Sequence, residues 1–103
     1  MKIETQAVHA GRQVDAATGA VTPPIHLSTT FERGADGEYP RGYSYSREDN
    51  PNRHELEECL AVLEGGSQAL CFASGLAVTT ALVQGLEPGD HDVAPDEVAW
   101  GLR

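Results

Sequence analysis

Lysine is nearly absent from this 103-residue chain: of seven basic residues only Lys2 is one. A lysine amine is the side chain that captures carbonyl compounds covalently, so a single copy narrows the covalent chemistry open to the chain. Positive charge is scarce altogether. Seven Lys and Arg against sixteen Asp and Glu leave a net charge of -9, which disfavours phosphate backbones and anionic lipid and argues against nucleic acid and membrane surfaces as partners. The two cysteines, Cys59 and Cys71, form no CxxC pair, so neither a zinc site nor a disulfide framework is indicated, and buried thiols in a reducing compartment are expected. His9, His26, His54 and His91 show no i, i+4 pairing and no HExxH, so no metal centre is expected. GxGxxG, Walker A and GxSxG patterns are missing too, which removes the usual dinucleotide, nucleotide and hydrolase fingerprints. No run approaches the roughly 18 apolar residues of a membrane span, and the segment from Met1 to Gln6 lacks the apolar stretch of a secretory signal. The expected location is cytoplasmic.

What remains is ordinary globular material, 40% hydrophobic and 22% charged, in a length that admits at most one domain. Residues 1–53 carry Gly11, Gly19, Pro23, Pro24, Gly34, Gly37, Pro40, Gly42 and Pro51, which interrupt every candidate element. This stretch reads as an extended, loop-rich arm that needs a partner surface or carries function. From Pro51 the pattern changes. Pro51 suits a first helical turn behind Asn50, and Leu56, Leu60 and Leu63 then recur at i, i+4 and i+7 with Cys59 beside them. Glu55, Glu57, Glu58 and Glu64 read as the solvated face, and Gly65-Gly66 supplies a left-handed stop. The apolar run over 69–73 reads as a buried strand, 76–86 as a second helix, residues 87–90 as a turn, and 91–94 as a short strand that Asp92 weakens. A strand, helix, strand unit of this kind builds parallel sheets, so the expected fold class is α/β.

Two places could carry chemistry. Between the expected strand and the second helix, Ser74 and Gly75 stand where backbone N–H groups point outward at the positive end of a helix dipole, an arrangement suited to phosphate. Ordinary capping by Ser74 accounts for the same residues. In the loop before the first helix, Tyr43-Ser44-Tyr45-Ser46-Arg47 places a forked guanidinium beside tyrosine hydroxyls, a set that holds phosphate or carboxylate. A solvated Arg47, or one paired with Glu48 or Asp49, is the plainer alternative.

Seven separated segments together resemble a known family: Thr5-Gln6-Ala7-Val8-His9-Ala10-Gly11, Thr18 to Ile25, Ser28-Thr29-Thr30-Phe31, Tyr45-Ser46-Arg47 with Asn50-Pro51, Leu63-Glu64-Gly65-Gly66, Ala73-Ser74-Gly75-Leu76-Ala77 and Pro88-Gly89-Asp90-His91. They look like the N-terminal part of the pyridoxal-phosphate-dependent enzymes of cysteine and methionine metabolism, the transsulfuration family of cystathionine γ-synthase and cystathionine γ-lyase. The resemblance implies an extended N-terminal arm over residues 1–53 and, over 54–103, the start of the cofactor-binding α/β large domain of a fold-type I transferase, incomplete in this chain. It implies that Ser74 and the amides of Gly75 and Leu76 hold the cofactor phosphate. It further implies that Tyr45 and Arg47 reach the phosphate of a neighbouring subunit, in a homotetramer built of dimers with shared sites. Substrates would be amino acids, with β- or γ-elimination or replacement on sulfur amino acids or activated homoserine.

Three departures accompany the resemblance, the first being Asp92, which stands where the family strand is usually apolar. Where the family stacks an aromatic on the cofactor ring, Asp96-Glu97-Val98 is followed by Ala99, and Trp100 is the nearest candidate for that stacking. The family's Schiff-base lysine, with the aspartate and arginine that accompany it, falls beyond residue 103, so no catalytic residue is assigned and the chain alone is expected to be inactive. The alternative reading is a non-catalytic pseudoenzyme fragment that docks on a full-length homologue.

Overall fold

A computed structural model describes residues 1–97. Three helices occur in it: α1 (Ile3–His9), α2 (Pro51–Glu64) and α3 (Gly75–Gln84). Two compact units divide the chain after Leu70.

In the first unit the expected loop-rich arm contains one helix that the sequence pattern does not reveal. α1 has seven residues, too few to display a helical period and too few to be stable in isolation. Lys2 caps it: the amides of Thr5 and Gln6 both donate to its carbonyl at 3.0 Å. α1 packs against α2, and Gly11 makes the exit possible. Its φ is +71°, and a Cβ there would lie 2.3 Å from the Glu55 carbonyl oxygen, so the chain leaves α1 by passing directly over the backbone of α2.

α2 begins and ends as its residue types require. Asn50 is extended at φ -145° and accepts from the Asn52 amide at 3.0 Å, Pro51 follows in the first turn, and Gly65 closes the helix at φ +67°. Its faces follow the expected division only in part: Cys59 and Leu63 are half-buried and Glu58 and Glu64 exposed, as expected, but the other positions differ. Leu56 and Leu60 are exposed, whereas Glu55 and Glu57 are half-buried. Gly11 sits on the Glu55–Cys59 side and Arg53 lies 3.8 Å from the Glu57 carboxylate, so part of the acidic run is half-buried rather than purely solvated. Between α1 and α2 the chain folds back on itself at one isolated antiparallel bridge, Thr30 with Tyr45, flanked by Phe31 N–H to Ser44 carbonyl at 3.2 Å and Ser46 N–H to Thr29 carbonyl at 2.9 Å. The rings of Phe31 and Tyr43 stand 5.4 Å apart, and Tyr43 meets His54 edge-on at 6.4 Å, which ties this loop to α2.

In the second unit Ser74, extended at φ -157°, caps α3 by accepting from the Ala77 amide at 3.2 Å. The helix stops at Gln84, two residues before the expected end; Leu86 follows in a closing turn, its amide donating to Val83 at 3.1 Å. The turn at 87–90 forms as expected, with Gly89 at φ +103°, Asp90 N–H donating to Glu87 at 3.0 Å and Glu87 N–H to the Asp90 carboxylate at 2.7 Å. Neither expected strand is present: among the described residues 69–73 and 91–94 carry no strand pairing. A strand exists through its hydrogen-bonded neighbour, and an extended run without one remains coil whatever its β-propensity. The sheet half of the α/β expectation is therefore not seen, and no described residue is buried.

Candidate functional site

Tyr45 and Arg47 come together in the first unit. The Arg47 guanidinium donates from Nη2 to the Tyr45 hydroxyl at 2.8 Å and lies over the ring, 5.2 Å from its centroid. The plainer pairings foreseen for this arginine are taken up otherwise. Glu48 accepts from the Ser44 hydroxyl at 2.7 Å, and Asp49 accepts from Arg53 at 3.4 Å and from the Asn50 amide at 2.8 Å. Arg47 is exposed and Tyr45 half-buried, so a fork of N–H donors is presented on a tyrosine that is itself fixed by the bridge to Thr30.

Ser74, Gly75 and Leu76 come together in the second unit. The Ser74 hydroxyl takes the Ala77 amide, and its carbonyl takes that of Val78 at 3.2 Å. Gly75 and Leu76 precede these, in the first turn, where a helix offers its N–H groups no internal carbonyl. Capping by Ser74, the ordinary reading of this serine, is thus present. The glycine is less ordinary. Gly75 lies outside the positive-φ glycines, and a Cβ there would meet nothing within 4 Å, so neither the backbone nor the described packing requires glycine at this first helical position. What glycine does provide is close approach for a group arriving at the helix end. Trp100, the candidate for ring stacking, lies outside the described residues.

Sequence spacing shows no metal pattern, yet folding brings the donor atoms of Asp49, His54 and Glu57 within 4.8 Å of one another. Asp49 lies outside α2, so periodicity along the helix could not have paired it with the other two. Arg53 already supplies the positive charge there, 3.4 Å from Asp49 and 3.8 Å from Glu57, and His54 Nε2 lies 3.2 Å from Glu58. A nearby concavity of about 230 Å³, lined by Gly11, Tyr43, Pro51, His54, Glu55 and Glu58, has a carboxylate-rich lining, the wrong sign for phosphate. Burial holds the Tyr43 phenol above its ordinary titration range, with the negative charges of Asp49, Glu58 and Glu55 adding to the effect.

Against known families, residues 4–101 match the family described as Cys/Met metabolism PLP-dependent enzyme. The chain belongs to this family. Among its curated relatives, the cystathionine beta-lyase of Coxiella burnetii is 43% identical over 99 residues, covering 96% of this chain and 25% of the relative. The cystathionine gamma-lyase of Dictyostelium discoideum is 46% identical over 102 residues, 99% of this chain and 26% of the relative. The solved structure of a cystathione gamma lyase from Micromonospora echinospora superimposes with a TM-score of 0.84 at 48% identity, covering 98% of this chain and 26% of that one. The chain thus spans about a quarter of the length of the relatives it matches. Members of this Cys/Met metabolism family depend on pyridoxal phosphate, and among the described residues of this one no helix is long and apolar enough to cross a membrane.

Proposed function

We propose that this chain supplies two phosphate-holding elements of a pyridoxal-phosphate-dependent enzyme that performs β- or γ-elimination or replacement on sulfur amino acids or activated homoserine. One observation carries the reading: a serine-capped helix N-terminus whose first residue is a glycine that neither its backbone angle nor any neighbour within 4 Å requires. There the amides of Gly75 and Leu76, with the helix dipole behind them, hold the cofactor phosphate. Tyr45 and Arg47 are the second element, and their hydroxyl and guanidinium take a phosphate of a neighbouring copy, so the active assembly is a homo-oligomer with shared sites. When bound, pyridoxal phosphate acts as the electron sink for bonds broken at the amino-acid substrate. The residues of this chain bind and orient it. Lys2, the single lysine, caps α1 within the arm and is not assigned a catalytic role, so the 103 residues alone turn over no cystathionine.

The test is a titration of the chain with pyridoxal phosphate, followed through the backbone amide signals of Gly75 and Leu76. Those two signals should move together, and Gly75→Val should weaken the response about tenfold by occupying the approach. Amides that stay in place at millimolar ligand would overturn the assignment. A turnover assay with cystathionine, expected to read zero, checks the statement about Lys2.

A further inference from the structure

Ser46 stands between Tyr45 and Arg47, and its polar atoms are bound to three other parts of the first unit. Its N–H donates to the Thr29 carbonyl at 2.9 Å, its hydroxyl donates to the Ser28 carbonyl and accepts from Asn50 Nδ2 at 3.0 Å, and its carbonyl accepts from Arg53 at 3.4 Å. The Asn50 side chain also caps α2 by accepting from the Asn52 amide. Asn52 then closes the ring: its Nδ2 donates to the Pro24 carbonyl at 2.7 Å and its Oδ1 accepts from the His26 amide at 2.8 Å, the paired pattern by which one strand grips another. The closed circuit runs from Asn52 through residues 24–29 to Ser46, and through Asn50 back to Asn52. α2 is the rigid member, since its N-terminus supplies both asparagines.

We infer that Ser46, Asn50 and Asn52 are positioning residues that fix the Tyr45–Arg47 pair in a phosphate-receiving arrangement before any phosphate arrives. The inference rests on the proposed phosphate role of that pair and adds residues to it that touch no ligand. Its physical content is preorganisation. A long guanidinium side chain in a loop loses conformational freedom on binding, and a loop already held in place leaves less to lose. The bridge at Tyr45 and the turn that follows it, with Glu48 and Asp49 amides both donating to the Tyr45 carbonyl at 3.0 Å, depend on where Ser46 is pinned.

The full 103-residue chain, isotopically labelled, provides the experiment with inorganic phosphate as the probe. Exchange rates of the His26 and Ser46 amides and of Arg47 Nε–H report the circuit without ligand; phosphate-dependent movement of the Arg47 Nε–H signal reports affinity. Ser46→Ala and Asn52→Ala should each speed exchange at both amides and at Arg47, and should weaken phosphate roughly tenfold through lost preorganisation. Ser46→Thr, which keeps the hydroxyl, should restore both readouts. Asn52→Asp keeps the acceptor for His26 and loses the donor to Pro24, giving a partial loss even where alanine melts the start of α2. An Asn52→Ala chain whose Ser46 amide and Arg47 Nε–H exchange as before would overturn the circuit. Faster exchange with undiminished phosphate affinity would overturn its positioning role. Arg47→Ala that leaves phosphate binding intact would instead remove the phosphate reading of the pair, with the exchange data still standing for or against the circuit.

Discussion

At Gly11 two requirements coincide on one residue. The backbone angle of +71° lies in the left-handed region, and the space a Cβ would fill is already occupied by the Glu55 carbonyl and the Cys59 amide. Gly11→Ala should therefore cost about 2–3 kcal/mol through backbone strain and displacement of α1 from α2, measured as a loss of helical circular dichroism at lower denaturant concentration. Gly19, also left-handed at +72°, has open space around it, so Gly19→Ala carries the strain without the displacement and should do less. Tyr43 gives a pH effect whose sign is fixed. Burial raises its pKa in the folded chain, with Asp49, Glu58 and Glu55 adding to it, so its contribution to stability is complete below the unfolded pKa of about 10 and is lost as pH rises through the folded value. Stability of the wild-type chain should fall on that alkaline limb, and Tyr43→Phe should flatten it; an identical limb in both proteins would refute the assignment. Of the candidate site residues, the meeting of Tyr45 and Arg47 was legible because they lie two positions apart in one loop, and the guanidinium does reach the hydroxyl. The Asp49, His54 and Glu57 cluster was not, because an arm residue and two helix residues meet only after α2 is capped.

At the level of elements, the sequence was most informative where side chains act on their own neighbours. Asn50 with Pro51, Gly65 and Ser74 mark helix ends through local chemistry, and each stands at the end it marks. α1 left no comparable sign, since Lys2 caps with its carbonyl and every residue has a carbonyl. The faces of α2 were legible only in part, at Cys59, Leu63, Glu58 and Glu64 but not at Leu56, Leu60, Glu55 and Glu57, for a related reason. Leucine spacing identifies an apolar stripe, but which stripe is covered depends on where α1 and Arg53 arrive. Residues 69–73 and 91–94 illustrate the same limit for strands, whose existence depends on a partner that their own residues cannot specify. The caps permit a quantitative comparison. Asn50→Ala removes the acceptor for the Asn52 amide and also the link to Ser46, whereas Ser74→Ala removes the acceptor for the Ala77 amide. Each loses about 1 kcal/mol as a cap. Asn50→Ala should cost more than that, since the loop over residues 24–46 is released with it. Amide exchange along α2 and α3 resolves the two effects, and equal losses would show that the Asn50 side chain acts as a cap alone.

Taken as a whole molecule, the chain has secondary structure and hydrogen bonds without burial to match. No described residue is buried, while Leu27 is 88% exposed, Ile25 83% and Leu70 73%. Hydrophobic burial dominates the free energy that opposes conformational entropy, and it gives unfolding its heat-capacity change and its cooperativity. Capped helices and side-chain clamps specify local geometry well but contribute only about 1 kcal/mol apiece. The 103 residues alone should therefore melt over a broad range, with an enthalpy well below the roughly 0.7 kcal/mol per residue of a complete domain near 60 °C, and should bind an apolar dye before heating. Calorimetry and dye fluorescence read these directly, with sedimentation establishing the oligomeric state in the same buffer. Broad melting that sharpens as self-association rises would mean that a second copy covers apolar surface left open in the single chain, in keeping with the proposed oligomer. A sharp, full-enthalpy transition in a sedimenting monomer would contradict the argument at its root, because such a transition needs a core, and apolar side chains this exposed cannot form one.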